Sequence, residues 1–144
     1  MTMTETASTT WRPGGARYVA YGVALALIAM TVAVGVSLPE EITFSVSELI
    51  TLALIMAGTL ALLHGVGRSR VTADAAGITV VNGYREHVVA WDRVKGFSMN
   101  PGAPWPTLVT SDDTRIMLFA IQRTDGPASR RGVEDLQRRL DASR

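Results

Sequence analysis

The chain contains no cysteine, two histidines and a single lysine, Lys95. Without cysteine there is no disulfide framework and no thiolate metal site, and the redox compartment cannot be read from the sequence. Lys95 is followed by Gly96, so no glycine-rich phosphate loop ending in Lys-Ser or Lys-Thr is present, and a Gly-x-Ser-x-Gly elbow is also missing. We therefore expect no catalytic residues, no metal site, no cofactor and no enzymatic activity.

Two long apolar runs, Tyr18 to Leu38 and Leu49 to Gly67, contain no charged side chain. Each is about 20 residues long, enough to cross a bilayer as a helix. Basic residues flank the pair of runs, and acidic residues lie between them: Arg12, Arg17, Arg68 and Arg70 outside, and Glu40, Glu41 and Glu48 in the connection. The positive-inside rule then places both termini in the cytosol.

This pattern predicts a multi-pass inner-membrane protein in three parts. Residues 1–17 form a flexible cytosolic tail, residues 18–67 a transmembrane hairpin with a short acidic outer loop at about 39–48, and residues 68–144 a cytosolic domain. A cleaved signal peptide ending near Ala33-Val34-Gly35 is the alternative for the first run, although that run exceeds the usual apolar region of such peptides. Trp11 either rests at the lipid head-group level or is an incidental aromatic in the tail.

Charge on the cytosolic side is moderately positive. Because three of the 13 acidic residues lie in the outer loop, 14 basic side chains face ten acidic ones there. This excess favours anionic lipid head groups and is far from a nucleic-acid-binding signature. Arg68 and Arg70 must lie close to the bilayer, whereas further basic residues need not: Arg85, Arg93, Lys95, Arg130 and Arg131.

Small residues line one face of each predicted span: Gly22, Ala26, Ala29 and Ala33 in the first, and Ala53, Ala57, Ala61 and Gly65 in the second. Small side chains let helices approach closely in lipid, so the two stripes either face each other or receive a partner's helix. His64 is the one ionisable group within the spans, and its place near the interface favours a neutral imidazole that reaches water.

After Arg70 the pattern alternates, as is typical of β-strands. The predicted strands are Val71–Asp74, Ile78–Asn82, Arg85–Trp91, Val94–Met99, Thr107–Thr110 and Arg115–Ile121. From about 127 to 142 the spacing becomes helical, with Val133, Leu136 and Leu140 on one face. Antiparallel strands followed by one amphipathic helix indicate a small α+β domain, in which the helix covers a curved sheet or partial barrel.

The order Asp74-x-x-Gly77-Ile78-x-Val80-x-Asn82, then Arg85, then Val89-x-Trp91-x-x-Val94 resembles bacterial pleckstrin-homology-like (PH) domains that follow paired transmembrane helices. The small actinobacterial subgroup is the most similar, with Arg12-Pro13 and Pro104-Trp105 matching its further elements. The resemblance implies a PH-like antiparallel sheet capped by a C-terminal helix, used for binding or scaffolding and not for a reaction. Inositide-binding PH domains carry basic residues around the first strand-to-strand loop, which in this interpretation is Asp74 to Gly77, so inositide binding is not expected.

Two tryptophans of this domain have different expected roles. Trp91 is expected to pack in the core, where its ring supplies apolar area. Trp105 lies between Pro104 and Pro106, and is either an exposed anchor for a partner or a ring folded over the barrel mouth. The leading functional hypothesis is a scaffold that recruits a protein partner through this loop. The alternatives are an accessory subunit that binds through its spans, and a direct sensor of anionic lipids.

Overall fold

Two long helices carry the apolar runs in the computed structural model, which describes residues 7–144. Helix α1 spans Gly14–Ser37 and helix α2 spans Val46–Arg68. Both are long and apolar enough to cross a membrane. Their apolar side chains are largely uncovered by protein, for example Leu25 at 70% and Leu54 at 69% exposure. Such surfaces indicate membrane association, because water-soluble proteins rarely expose apolar patches of this size.

The beginning of α2 is fixed by a capping box. The Ser45 hydroxyl accepts a hydrogen bond from the backbone N–H of Glu48, and the Glu48 carboxylate accepts one from the backbone N–H of Ser45. This arrangement satisfies two donors that a helix N-terminus would otherwise leave free. α1 begins four residues before the predicted span, because Gly14 to Arg17 continue the helix outside the uncharged run.

Within residues 7–144, seven strands form two antiparallel sheets. The strands are β1 Thr9–Trp11, β2 Arg70–Ala73, β3 Gly77–Asn82, β4 Arg85–Ala90, β5 Val94–Ser98, β6 Thr107–Thr110 and β7 Arg115–Met117. The first sheet has the order β1-β2-β3-β4 and the second the order β5-β6-β7. Short 3₁₀ turns at Trp91–Arg93 and Arg123–Asp125 precede β5 and helix α3, which spans Pro127–Ala142. The fold class is therefore the predicted one, an α-helical hairpin with a PH-like domain.

The core lies between the two sheets and α3. Ile78, Leu108, Leu118, Leu136 and Leu140 are fully buried there. The helical spacing had placed Leu136 and Leu140 on the covered face of α3, and both are inaccessible to solvent. Trp91 is also buried, and its indole N–H donates a hydrogen bond to the Asp74 carbonyl at 2.9 Å. The prediction of a core role for Trp91 is confirmed.

The prediction of a flexible tail is wrong for Thr9 to Trp11. Residues 1–6 lie outside the described residues, but Thr9–Trp11 form β1 and pair with β2 in the register Thr10↔Thr72. Trp11 packs against the core and contacts Gly132 of α3, so it is not an incidental aromatic in a tail. A strand of three residues has no readable alternation, and its partner lies beyond both helices, which explains why the pattern did not reveal it.

The small-residue stripes do not face each other. Seven of these residues are exposed: Gly22, Ala26, Ala29, Ala33, Ala53, Ala57 and Ala61. A Cβ built on Gly22 would meet nothing within 4 Å, and Gly65 is buried against Tyr84 and not against α1. α1 and α2 meet instead where Tyr21 lies over Gly67. The bulky Tyr21 ring needs the glycine surface, and this requirement rotates both stripes away from the contact.

Candidate functional site at the membrane-facing end of the domain

The PH-like domain is joined to the membrane hairpin at one end. β1 leads into α1 through Arg12 and Pro13, and α2 leads into β2 through Ser69 alone. We call this the proximal end and the opposite one the distal end. Because all strand pairs are antiparallel, the β3–β4 turn lies at the proximal end, and the turn from Asp74 to Gly77 lies at the distal end.

The β3–β4 turn is docked on α2. The Ser69 hydroxyl donates to the Gly65 carbonyl at 3.2 Å and accepts from the backbone N–H of Gly83 at 3.1 Å. The Tyr84 hydroxyl donates to the Ala61 carbonyl at 2.6 Å. Ala61 lies seven residues before the end of α2, a rise of about 10 Å, so the Tyr84 side chain reaches well along the helix. The turn is therefore fixed to the hairpin, and not merely close to it.

A cluster of rings completes this junction. The Tyr21 hydroxyl and His64 Nδ1 are 3.3 Å apart, and the Arg68 guanidinium lies 5.2 Å from the centre of the Tyr84 ring. His64 stands between the two tyrosines, with ring centres 6.2 Å and 6.5 Å away. Within residues 7–144, no group of three or more His, Cys, Asp or Glu side chains is placed to hold a metal ion. His64 of α2 thus lies between α1 and the β3–β4 turn, and its ring and those of both tyrosines are exposed.

The Trp105 loop also lies at the proximal end. Asn82 Nδ2 donates to the Met117 carbonyl at 2.6 Å, and Asn82 Oδ1 accepts from the Phe119 N–H at 3.3 Å, so the end of β7 is tied to the end of β3. The Trp105 ring packs on Phe119, with centres 4.7 Å apart and planes tilted by 58°. Trp105 is half-buried, which agrees with the interpretation of a ring folded over the sheet end.

The flanking prolines have separate roles. Pro106 is buried, and its carbonyl accepts from the Leu118 N–H at 2.9 Å. Pro104 is exposed, and its carbonyl accepts from the Arg123 N–H at 2.9 Å. Of the three predicted contact residues, Pro104 and part of Trp105 are therefore available at the surface, whereas Pro106 anchors the loop.

The basic residues divide between the two ends. Arg68 is exposed and Arg70 half-buried at the proximal end. Arg93 and Lys95 lie distally, where they pair with Asp112 at 3.9 Å and Asp113 at 2.6 Å. A hydrogen bond from the Thr110 hydroxyl lowers the pKa of Asp112, which keeps that carboxylate charged. Arg93 and Lys95 therefore belong to the distal surface and not to a surface beside the bilayer.

Sequence reasoning missed Tyr21 and Tyr84, which hold the junction together. Tyr84 directly follows the Asn82-Gly83 turn signal, and Gly83 adopts the positive φ of 61° that such a turn requires. An aromatic residue at a turn tip was the available clue. A second correction concerns the first strand-to-strand connection: it is the hairpin itself, between β1 and β2, and not Asp74 to Gly77. The absence of basic residues from Asp74 to Gly77 therefore does not count against inositide binding.

Two packed antiparallel sheets of four and three strands, closed by a C-terminal helix, define a PH-like domain carried on two apolar helices. The chain belongs to the bacterial PH domain family, whose model matches residues 68–139. Uncharacterized proteins of Mycobacterium tuberculosis and Mycobacterium bovis are 34% identical over 74 residues, which are 51% of this chain and 46% of each relative. The chain thus spans about half the length of the curated relatives it matches. No solved structure gives a significant match.

Proposed function

We propose that this protein is a non-enzymatic scaffold of the inner membrane, whose PH domain holds a protein partner at the cytosolic face. PH domains are in general binding modules, which supports a role without catalysis. Cell-envelope processes are the setting that this architecture suits. The partner contact is assigned to the proximal end, around Trp105 and Pro104.

The double connection between the hairpin and the domain carries this proposal. One residue joins α2 to β2 and two join β1 to α1, and the Tyr84 side chain holds the β3–β4 turn on α2. A domain attached by one flexible linker would sample many orientations. This domain keeps one orientation towards the bilayer, which suits a platform that positions another protein at a set height.

The distribution of charge supports a cytosolic location for the PH-like domain. β1 and β2 pair directly, so the chain must enter and leave the hairpin on the same side of the membrane. The basic side chains that flank the hairpin lie on that side, and the acidic connection lies on the other. Basic flanks remain on the cytosolic side of bacterial membranes.

The test is a crosslinked pull-down of the full-length protein from native membranes, comparing the wild type with Trp105→Ala. Loss of specific partners with Trp105→Ala is expected, because the variant removes an aromatic contact at the exposed loop. Trp105→Phe keeps a ring against Phe119 and should retain part of the binding. Val88→Ala, at a site that is 75% exposed on β4, is the control. Unchanged partners in a folded Trp105→Ala protein would refute this contact.

A second candidate function is an accessory subunit of a larger membrane complex, with the hairpin as the interface. The exposure of the small-residue stripes favours it, since the α1–α2 contact does not use them. Small exposed residues on a membrane helix allow a partner helix to approach closely.

The double variant Ala53→Leu with Ala57→Leu separates the two candidates, because both positions are exposed and lie away from the Tyr84 contact on Ala61. Added bulk on this exposed face leaves the α1–α2 contact intact but blocks close approach of another helix. Partners lost with the Ala→Leu double variant and kept with Trp105→Ala would establish the accessory-subunit role and refute the scaffold. Ile50→Leu with Ile55→Leu, also on exposed positions of α2, is the matched control.

A further inference from the structure

Helix α3 points its N-terminus towards the membrane. Near its C-terminal end, the Arg139 guanidinium donates to the Thr9 hydroxyl at 2.6 Å, at the distal end of β1. Further back, Gly132 contacts Trp11 at the proximal end of β1. Asp125, just before α3, lies beside Gly14, the first residue of α1. α3 therefore runs opposite to β1, and its first turn lies next to the entry of the chain into α1.

Along the direction across the bilayer, the first turn of α3 lies at the level of the lipid head groups. Gly14 precedes the first apolar residue of the span, Tyr18, by about 6 Å of helix rise. The polar head-group layer on each side of a bilayer is about 5–8 Å thick. The positive end of the α3 dipole thus faces the layer in which membrane phosphates lie.

This helix terminus is open to a ligand. Gly126 occupies the N-cap position and provides no side-chain cap, and Pro127 follows at the first helical position. Pro127 has no N–H, and the N–H groups of Gly126 and Arg130 donate to the Arg123 and Gly126 carbonyls. The backbone N–H groups of Ala128 and Ser129 are therefore the ones left without a partner in the helix. A recess of about 300 Å³ adjoins this terminus and is lined by Met99, Arg123, Gly126, Ser129 and Arg130.

Two side chains give the recess positive charge. Arg123 and Arg130 are exposed, and within the described part of the chain neither forms an ion pair. One acidic group lies close by, because Asp125 lines an adjoining recess of about 260 Å³ together with Arg12. Its carboxylate accepts a hydrogen bond from the backbone N–H of Gln122 at 3.4 Å. Asp125 opposes an anion in the neighbouring recess but does not line the one with Arg123 and Arg130.

Ser129 supplies an independent indication of a ligand. It lines both recesses and is 2% exposed, and within residues 7–144 its hydroxyl has no hydrogen-bond partner. A buried hydroxyl without a partner costs stability, so such groups are rare unless they serve a further purpose.

We infer that the start of α3, with Arg123, Arg130 and the Ser129 hydroxyl, forms a phosphate-binding site that faces the bilayer. Two guanidinium groups supply charge-assisted hydrogen bonds, the first-turn N–H groups bind phosphate oxygens, and Ser129 donates one more bond. The phosphate group is that of an anionic phospholipid or of a soluble phosphate compound. This site is built by the C-terminal helix, away from the strand-to-strand loops, and it does not depend on the proposed scaffold function.

The experiment measures ligand binding to the purified full-length protein in a neutral detergent, by calorimetry and by thermal unfolding. The ligands are dioctanoyl phosphatidylglycerol, inorganic phosphate, and dioctanoylglycerol, which has the same chains without phosphate. Binding of phosphatidylglycerol but not of inorganic phosphate assigns the site to lipid, and binding of both assigns it to phosphate in general. Either result supports the site, whereas equal binding of dioctanoylglycerol, or binding of none, refutes it.

The variants locate the binding. Arg123→Gln with Arg130→Gln should weaken it about tenfold or more, since two charge-assisted contacts are lost. Ser129→Ala should weaken binding while raising the unfolding temperature of the ligand-free protein, because it removes an unpartnered buried hydroxyl. Arg131→Gln, an exposed neighbour outside the recess, should change the affinity less than twofold. Equal weakening by Arg131→Gln, or unchanged affinity in Ser129→Ala, would overturn the assignment.

Discussion

Trp11 joins the N-terminal segment to the domain core. Its ring contacts Gly132 and packs against the buried residues beneath α3. Trp11→Ala should lower the free energy of unfolding by about 2–3 kcal/mol, somewhat less than for a fully buried tryptophan. Denaturant unfolding of the detergent-solubilised protein measures this change. Tyr18→Ala, at a ring that is 79% exposed, is the control and should have a much smaller effect in detergent. Equal effects of the two variants would mean that Trp11 does not belong to the core.

Asp135 strengthens the same attachment. It accepts hydrogen bonds from Arg138 and Arg139, both at 3.0 Å, and Arg139 also reaches Thr9 of β1. Burial raises the pKa of Asp135, but the hydrogen bonds and charges of the two arginines outweigh it and lower the pKa overall. A lowered pKa in the folded state means that the ionised carboxylate stabilises the fold above the pKa of the unfolded chain. This stabilisation is lost as the pH falls through the folded-state pKa.

Asp135→Asn should therefore destabilise the protein at neutral pH by roughly 0.5–1 kcal/mol. The difference from the wild type should begin to shrink as the pH falls below about 4, the ordinary pKa of an aspartate in the unfolded chain, and should go on shrinking as the pH approaches the lower folded-state pKa. Unfolding temperatures from pH 3 to pH 7 measure this trend, with Glu134→Gln on the exposed neighbouring position as the control. A difference that stays constant with pH would show that the charge of Asp135 is not its source.

At the scale of elements, the contact between α1 and the end of α2 depends on Gly67. A Cβ at Gly67 would lie 2.6 Å from the Tyr21 ring, whereas a Cβ at Gly58 of the same helix would meet nothing within 4 Å. Gly67→Ala should displace Tyr21, break its hydrogen bond to His64 and lower the unfolding temperature. Gly58→Ala should leave it unchanged or raise it, because alanine favours a helix over glycine by up to about 1 kcal/mol. The same result for both variants would contradict the packing described for the junction.

Elements with a strong local pattern could be predicted from the sequence. β6 has the predicted bounds, and α3 falls where Val133, Leu136 and Leu140 recur at helical spacing. β7 ends at Met117 and not at Ile121, because Leu118, Ala120 and Ile121 are buried in the core outside any strand. The small-residue stripes had the correct helical spacing, but spacing alone does not show which of two similar faces a tyrosine and a glycine will bring together.

At the scale of the whole molecule, the hairpin is inserted into the domain and does not simply precede it. The segment before α1 forms the first strand of the sheet, and the segment after α2 forms the second. Reading the sequence in order gave a tail, two spans and a domain, because β1 is short and lies about 60 residues from its partner. The region shared with the bacterial PH domain family begins at Arg68, so it does not include β1 either.

The insertion puts both ends of the hairpin on the same side of a membrane that it crosses, and the predicted topology can be tested by labelling. Glu41→Cys in the connection and Ser143→Cys after α3 should lie on opposite sides of the membrane. In intact cells a membrane-impermeant maleimide should label Glu41→Cys once the outer layers are permeabilised, and should label Ser143→Cys only after lysis. The chain has no cysteine of its own, so any labelling reports the introduced residue. Reversed labelling would contradict the cytosolic placement of the domain.

The pairing of β1 with β2 makes the hairpin an insertion into the domain, and a disulfide across this pair shows whether the two strands pair. The Thr10 and Thr72 hydroxyls are 3.1 Å apart across this pair, which brings the two Cβ atoms within reach of a disulfide. Thr10→Cys with Thr72→Cys, in a protein carrying a protease site in the loop at 39–45, should stay as one species on a non-reducing gel after oxidation and cleavage. Thr72→Cys with Thr79→Cys, a directly opposed pair across β2 and β3, is the control, and its disulfide shows that a cysteine at position 72 can be oxidised. Separation into two fragments, with the control pair oxidised, would show that the N-terminal segment is not part of the sheet.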